Sequence, residues 1–542
     1  GTEWSLPLHE TYDQVLALHR KNWNGIWFRI VRNFFWSATA GKFDAIVGNP
    51  PWVRWSSLPE AYRNRVKTVC EGYDIFSKTK HHGGNELDIS AMITYTTGDK
   101  WLKDGGKLAF VITQAVFQNP SSSGFRNFRI NDTVNLVPVS VDDLKALKPF
   151  PDAANKTAVA VFEKTTKAPA YPVPYKIWDA KPDESRSINP ALTWPQVESK
   201  TTRTDMEANP VSDTDTGSPW AILSPGRFKA LQPMSVIEAE PWVEGRKGIT
   251  VDLNGVYFVR QLGFNSTTKQ VLIASRPKAG KKDIGPERKC WVETDWLYPL
   301  IKGAADFKPC YLKPVEELFA IVPNKGIKKA DFEKAASEYA SLKGTKTYLE
   351  GFNKAPGRLL ENRSTYRGRM KQTGAPHYAI YNVGDFTFKP WKVIWAEMSG
   401  KFSAAVAGSA NVPLVGKRPY VPDHKIFFVA LDNKAEAHYL CGILNSTTVA
   451  EFVESHNVAI QVGDIFKHMR LPVFNRNDKA HTDLAKQVEK AHKEHDKAKR
   501  EAIVDQVRID ADKIMAAWLG SLTKAKTATQ SKKSKAPKKA SK

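Results

Sequence analysis

The stretch Lys42-Phe43-Asp44-Ala45-Ile46-Val47-Gly48-Asn49-Pro50-Pro51-Trp52 decides how this chain reads. A brief apolar run stops at Gly-Asn-Pro-Pro, and neither proline can continue a hydrogen-bonded ladder, so the segment predicts a buried strand ending in a rigid polar corner. In open α/β sheets ligands sit beyond the carboxyl ends of the strands, which puts Asn49 to Trp52 at the crevice where a substrate would lie. Both prolines withhold an N–H donor and leave carbonyl acceptors free, while Asn49, held extended by the proline after it, adds a side-chain carbonyl. Two converging acceptors suit an exocyclic amine, and Trp52 offers a flat face to the ring that carries it. The expected ligand is a planar aminopurine.

Working outward, Tyr12 to Trp36 approximates helical spacing and is expected to pack on the sheet that starts at Phe43. Beyond the corner, Arg54 to Phe76 reads as a polar and aromatic connection over the pocket, with a surface helix from Pro59 to Cys70 as the equal alternative. His81-His82 has no acidic or thiol partner at ligand spacing, so no metal is expected. A helix from Asn85 to Leu102, ended by Asp104-Gly105-Gly106, leads to an apolar strand Lys107–Thr113, one half of a βαβ unit. Gln114 to Arg129 reads as a mobile loop in which Arg126 holds a phosphate beside aromatic residues, or as a plain surface turn. Phe150 then precedes a strand from Thr157 to Phe162.

From Lys164 to Trp220 the composition shifts to Pro, Thr, Ser and Asp, which reads as an edge strand followed by a linker. The region to about Phe474 is aromatic and basic with short alternating strands. Tyr439 to Phe452 and Asn477 to Leu519 read as helices, and a Lys-rich tail without acidic residues follows.

With 542 residues the chain has room for several cores, and a formal net charge of +23 points to a polyanion, nucleic acid first. Its four scattered cysteines form no C-x-x-C pair, and no apolar run is long enough to span a bilayer. A soluble cytoplasmic protein with no membrane association is the default expectation.

Asn49-Pro50-Pro51-Trp52 after a strand resembles the catalytic signature of the N6-adenine-specific DNA methyltransferases. That resemblance implies transfer of a methyl group from S-adenosylmethionine to adenine N6 after base flipping, in a restriction-modification or defence system. The Asn49 side chain and the Pro50 carbonyl would hold the amine, Pro51 would complete the corner, and Trp52 would stack on the base. It further implies that Phe150 packs against the target adenine and that Asp88 lies on the cofactor side, although Asp88 also suits simple charge complementarity at a helix start. Segments around Glu244-Gly245-Arg246-Lys247-Gly248, Trp296 to Gly303, Glu361-Asn362-Arg363-Ser364 and Val421-Pro422-Asp423-His424 resemble the target-recognition region of type IIG enzymes. Arg246, Lys247, Lys302 and Arg363 are the expected contacts to double-stranded DNA.

The glycine-rich donor cradle of such enzymes is missing from Gly1 to Gly48 and from the later chain. A lost N-terminal segment or a partner chain is therefore expected to carry it, and any nuclease module with it. The expected fold is α/β: a partial Rossmann-like methyltransferase domain, then a mixed α+β target-recognition domain and C-terminal helices. The boundaries drawn from composition are 1–165 for the catalytic half, 166–220 for the linker and edge strand, 221–475 for recognition, 476–520 for helices and 521–542 for a disordered tail. Two alternatives stand beside this reading: a non-catalytic DNA-recognition subunit or degenerate methylase-like module, and a methyltransferase acting on protein, RNA or a small molecule.

Overall fold

The computed structural model describes residues 5–21, 29–30, 32–33, 35, 40–76, 87–150, 152–189, 191–212, 214–235, 242–313, 318–323, 329–354, 356–397, 401–412, 414, 416–456 and 465–534. His81-His82, Asn85 and Glu86 lie outside them. The chain divides into two compact units, Gly1–Pro225 and Gly226–Lys542.

The first unit is built on a seven-stranded mixed sheet with the order β1-β2-β4-β3-β5-β6-β7. Its strands are β1 (Phe43–Gly48), β2 (Leu102–Thr113), β3 (Asn135–Asp143), β4 (Thr157–Thr165), β5 (Val173–Ala180), β6 (Thr201–Ser212) and β7 (Asp215–Leu223). Its longer helices are α1 (Ser5–Arg20), α2 (Glu60–Gly72) and α3 (Ile89–Lys100). β1 and β2 run parallel, as do β3 and β5, while β4 lies antiparallel between β2 and β3. The register between β1 and β2 jumps from Phe43↔Leu102 to Ala45↔Lys107, so the glycine pair Gly105-Gly106 bulges out of β2 instead of separating a helix from a strand. Gly105 takes the left-handed conformation that this bulge needs. Alternate residues of β2 and β4, among them Leu108, Phe110, Ile112, Ala158, Ala160 and Phe162, join Tyr95 of α3 and Trp220 of β7 in one apolar core.

Three sequence expectations change here. The stretch read as a linker holds β5, β6 and β7, with Val173, Tyr175 and Trp220 buried; its prolines masked a period-two apolar pattern. Of the helix expected from Tyr12 to Trp36, α1 carries the part to Arg20 and none of its residues is buried, while Ile26, Trp27, Val31 and Phe34 lie outside the described residues. β1 is not the buried strand expected, because among the described residues it pairs on one side only, with β2. Phe43 and Val47 are 41% and 81% exposed.

The second unit holds a six-stranded sheet, β11-β10-β9-β15-β12-β20, and a four-stranded one, β17-β16-β21-β8. In chain order its strands are β8 (Arg246–Lys247), β9 (Phe258–Asn265), β10 (Gln270–Ala274), β11 (Lys289–Glu293), β12 (Leu297–Ile301), β13 (Phe307–Lys308), β14 (Tyr311–Leu312), β15 (Leu318–Ile321), β16 (Trp391–Ala396), β17 (Ala404–Ala407), β18 (Ser409–Val412), β19 (Gly416–Pro419), β20 (Val421–Pro422) and β21 (Ile426–Leu431). The helix read from Tyr439 to Phe452 is two, α4 (Lys434–Leu444) and one over Thr447–His456. Between them Asn445 turns its side chain onto the backbone N–H and carbonyl of Ala404 and the carbonyl of Cys441. Two further helices, α5 (Lys479–Lys493) and α6 (Lys497–Ser534), follow. α6 extends past the boundary drawn at 520 because its Ala- and Lys-rich end meets no proline before Pro537. Among the described residues no helix is long and apolar enough to cross a membrane.

Candidate active site at the Asn49 corner

β1 ends at Gly48, opposite Phe110 of β2, and the chain leaves the sheet through Asn49-Pro50-Pro51. Pro50 is buried, whereas Asn49 and Pro51 are exposed. Among the described residues nothing hydrogen-bonds the Asn49 side chain or the Pro50 carbonyl.

Trp52 fixes the corner's far side. Its indole Nε1 donates to the Val111 carbonyl of β2 at 3.0 Å, and its ring meets Phe150 edge to face with centroids 5.0 Å apart and planes at 73°. Trp52 is half-buried and Phe150 is 36% exposed, so each keeps aromatic surface open to a ligand. The chain then pairs with the start of α3: the Ile89 amide donates to the Val53 carbonyl at 2.9 Å and the Trp55 amide to the Leu87 carbonyl at 2.8 Å. Strand end, indole pin and this short pairing hold the corner from three sides. The resemblance implied that the Asn49 corner and Phe150 meet the same base; the structure brings Trp52 and Phe150 into contact.

Asp88 is buried and caps α3, its Oδ1 accepting from the Ser90 amide at 3.1 Å. Burial raises its pKa above the ordinary carboxylate value, against the hydrogen bonds that lower it. Behind β2 lies a network that the sequence did not announce. Tyr175 donates to Asp143 Oδ2 at 2.6 Å, Gln114 Nε2 donates to the Tyr175 hydroxyl at 3.3 Å, and burial raises the pKa of Asp143. It ties the end of β2 to β3 and β5. Only the Asp at the end of an apolar strand could have hinted at it.

Two expected DNA contacts are excluded by burial. Arg126 is fully buried in a series of short 3-10 turns, not in a mobile loop. Its guanidinium donates to the carbonyls of Val116, Asn119, Gly217 and Ser218 at 2.6–3.0 Å, clamping β7 to the end of β2. Close packing supports the same turn, because a Cβ on Gly124 would lie 2.2 Å from the Ile75 carbonyl oxygen. Arg363 is fully buried too, donating to the carbonyls of Leu360, Val251, His377 and Ala379. A cation enclosed among carbonyls cannot reach a phosphate.

Arg246 and Lys247 are half-buried and already paired, Arg246 with Glu244 and Lys247 with Glu397 at 2.8 Å. Each also lies over a ring, Phe386 and Phe427 respectively. Lys302 is half-buried, and burial lowers its pKa.

Residues 12–143 match the family model described as Eco57I restriction-modification methylase. The Type II methyltransferase M.HincII of Haemophilus influenzae is 28% identical over 115 residues, 19% of this chain and 19% of that protein. The Type II methyltransferase M.PaeR7I of Pseudomonas aeruginosa is 28% identical over 88 residues, 15% of each. The chain thus spans about a fifth of the length of the curated relatives it matches. Among solved structures, the Type IIL restriction-modification enzyme MmeI in complex with DNA aligns with a TM-score of 0.44 at 11% identity, covering 90% of this chain and 56% of that one.

Proposed function

We propose that this restriction-modification methyltransferase-like chain is the base-holding and DNA-recognising part of an enzyme that methylates adenine N6 in double-stranded DNA from S-adenosylmethionine. The observation that carries the proposal is the Asn49 corner: an exposed side-chain amide and an adjacent proline carbonyl, neither hydrogen-bonded among the described residues, beside two aromatic rings. The Asn49 side-chain oxygen and the Pro50 carbonyl accept the two N–H bonds of an extruded adenine's amino group. Held so, the amine directs its lone pair away from the ring plane, and Trp52 with Phe150 covers the base. Orientation and polarisation of the nucleophile are this chain's share of the catalysis.

S-adenosylmethionine, when bound, supplies an electrophilic methyl group on a sulfonium. The described residues do not fit a complete cradle for it. Among the described residues no strand, glycine-rich turn and helix stand together, and Asp88, the acidic candidate, is occupied as a helix cap. No step through the donor is therefore derived. The donor falls to another α/β segment, upstream or on a partner chain, that packs against β1, whose outer edge pairs with no strand among the described residues. The exposed apolar residues Phe43 and Val47 lie on one face of β1 and support a covering element there, since a parallel strand is normally covered on both faces.

The test is transfer of a radiolabelled methyl group to adenine-containing duplex DNA, first by this chain alone and then with a segment that supplies the cradle. Activity on reconstitution is expected. Asn49→Ala should reduce it by about 10²-fold or more while DNA affinity stays within about twofold. Transfer that survives Asn49→Ala would overturn the catalytic assignment. The missing cradle also favours a second reading, a DNA-recognition module without catalysis. Binding without transfer under every reconstitution would select it.

A further inference from the structure

In the sheet of the first unit β1, β2 and β3 run in one direction and β4 returns, so β1, β2 and β3 all end, and β4 starts, at the edge where the Asn49 corner lies. Two features hang from the end of β2. The Val111 carbonyl pins the Trp52 indole, and just beyond it the Gln114 amide donates to the Lys156 carbonyl at 2.9 Å. Lys156 is the last residue of the connection between β3 and β4, which carries Phe150. At the other end of that connection Asp143 fixes the first turn: its Oδ1 accepts the Lys145 amide at 2.8 Å, while the Leu144 amide donates to the Thr157 carbonyl at 3.0 Å. Asp143 Oδ2 accepts the Tyr175 hydroxyl at 2.6 Å, and the Tyr175 oxygen accepts Gln114 Nε2 at 3.3 Å. Gln114 thus holds both ends of the connection, one by its main chain and the other through Tyr175 and Asp143.

Gln114, Tyr175 and Asp143 are all buried. A carboxylate at that depth gives up its hydration, with only Lys145 Nζ, 3.8 Å from Oδ2, as a nearby counterion among the described residues. Joining the strands does not require it, because Ile112, Val141 and Ala158 beside it already pack in the apolar core. What apolar packing lacks is direction. Hydrogen bonds into a buried carboxylate fix distance and angle together, and here they fix where the connection leaves the sheet. The ring that this places is Phe150, edge to face on Trp52. Both rings therefore take their position from the same strand end.

We propose that Gln114, Tyr175 and Asp143 are positioning residues for methyl transfer, which act through Phe150 by holding its ring where it meets an extruded adenine beside Trp52. The inference rests on the adenine reading of the Asn49 corner.

The test uses the full chain labelled with fluorotryptophan, and fluorine NMR identifies the Trp52 line by its loss in Trp52→Phe. Phe150→Ala moves that line by removing the ring beside it. Tyr175→Phe, which removes only a hydroxyl, and Gln114→Met should move it in the same direction. The line of Trp101, at the opposite end of β2, should stay in place, and circular dichroism confirms the fold. In methyl transfer to unmethylated genomic DNA, reconstituted with a cradle-bearing segment, each variant should lower kcat/KM by about tenfold or more. Neither should lower it further in a Phe150→Ala background, whereas a merely structural role would lower it by the same factor there. A Trp52 line unmoved by both variants, or losses that add to that of Phe150→Ala, overturns the positioning role while transfer itself stands. A wild-type chain that transfers no methyl group on reconstitution overturns the adenine reading and the positioning role with it.

Discussion

At the scale of the residue, similar side chains serve opposite ends. Arg126 and Lys302 both look like nucleic-acid contacts in a basic chain, yet one is sealed among carbonyls and the other lies half-buried with no ion pair among the described residues. Arg126→Met should therefore destabilise the first unit by about 3 kcal/mol or more, because several buried carbonyls lose their donor together, and should leave the salt dependence of DNA binding unchanged. Urea unfolding paired with DNA affinity measured over a series of salt concentrations separates the two effects. Trp52→Phe removes only the bond from Nε1 to the Val111 carbonyl and should cost about 1 kcal/mol. Its larger effect should be on methyl transfer, because the ring that meets Phe150 then has no pin.

At the scale of the element, caps and pins decide where helices begin and what they touch. Asp88→Ala should destabilise the first unit by about 1 kcal/mol through loss of the α3 cap, measurable as a shift in denaturant midpoint. His492 pins α5 to β17. Its Nδ1 bonds to the Val488 carbonyl at 2.9 Å, so Nε2 is the lone-pair nitrogen that accepts the Val406 amide at 2.8 Å. Burial depresses its pKa to about 3, helped by nearby His438 and opposed by Glu489. A folded-state value below the unfolded one means that the unfolded chain takes up the proton first. Stability from this group is therefore intact above about pH 6.5 and lost progressively as pH falls towards 3. Unfolding midpoints of the full chain measured across that window should fall, and His492→Gln should flatten the fall.

At the scale of the whole molecule, the sheet of the first unit has β1 at one edge and β7 at the other among the described residues. Seven strands are laid down in one direction from β1, whose outer edge has no neighbour among the described residues. α1 also exposes Leu6, Leu8 and Tyr12. Val47→Glu should therefore leave the stability of the isolated chain within about 0.5 kcal/mol, as surface substitutions usually do. It should nevertheless weaken association with the cradle-bearing segment, read by co-purification and by recovered methyl transfer. Equal recovery with Val47→Glu would place the docking surface elsewhere.

How far the sequence led depended on how local each determinant is. Asn49-Pro50-Pro51-Trp52 was legible because prolines carry their own conformation and leave their acceptors free wherever the chain places them. β2 and β4 were legible because an unbroken apolar run needs no distant partner to be recognised. β5, β6 and β7 were not, since an edge-strand pattern cut by Pro172, Pro174 and Pro210 looks like a linker until neighbouring strands supply its hydrogen bonds. The meeting of Trp52 with Phe150 and the burial of Arg126 and Arg363 were decided only by the tertiary structure. The sequence by itself determined a proline-bounded corner, a basic chain and the core strands β2 and β4. Burial and counterion are set by residues far away along the chain, so which cations stay available to a ligand follows from the packed fold alone.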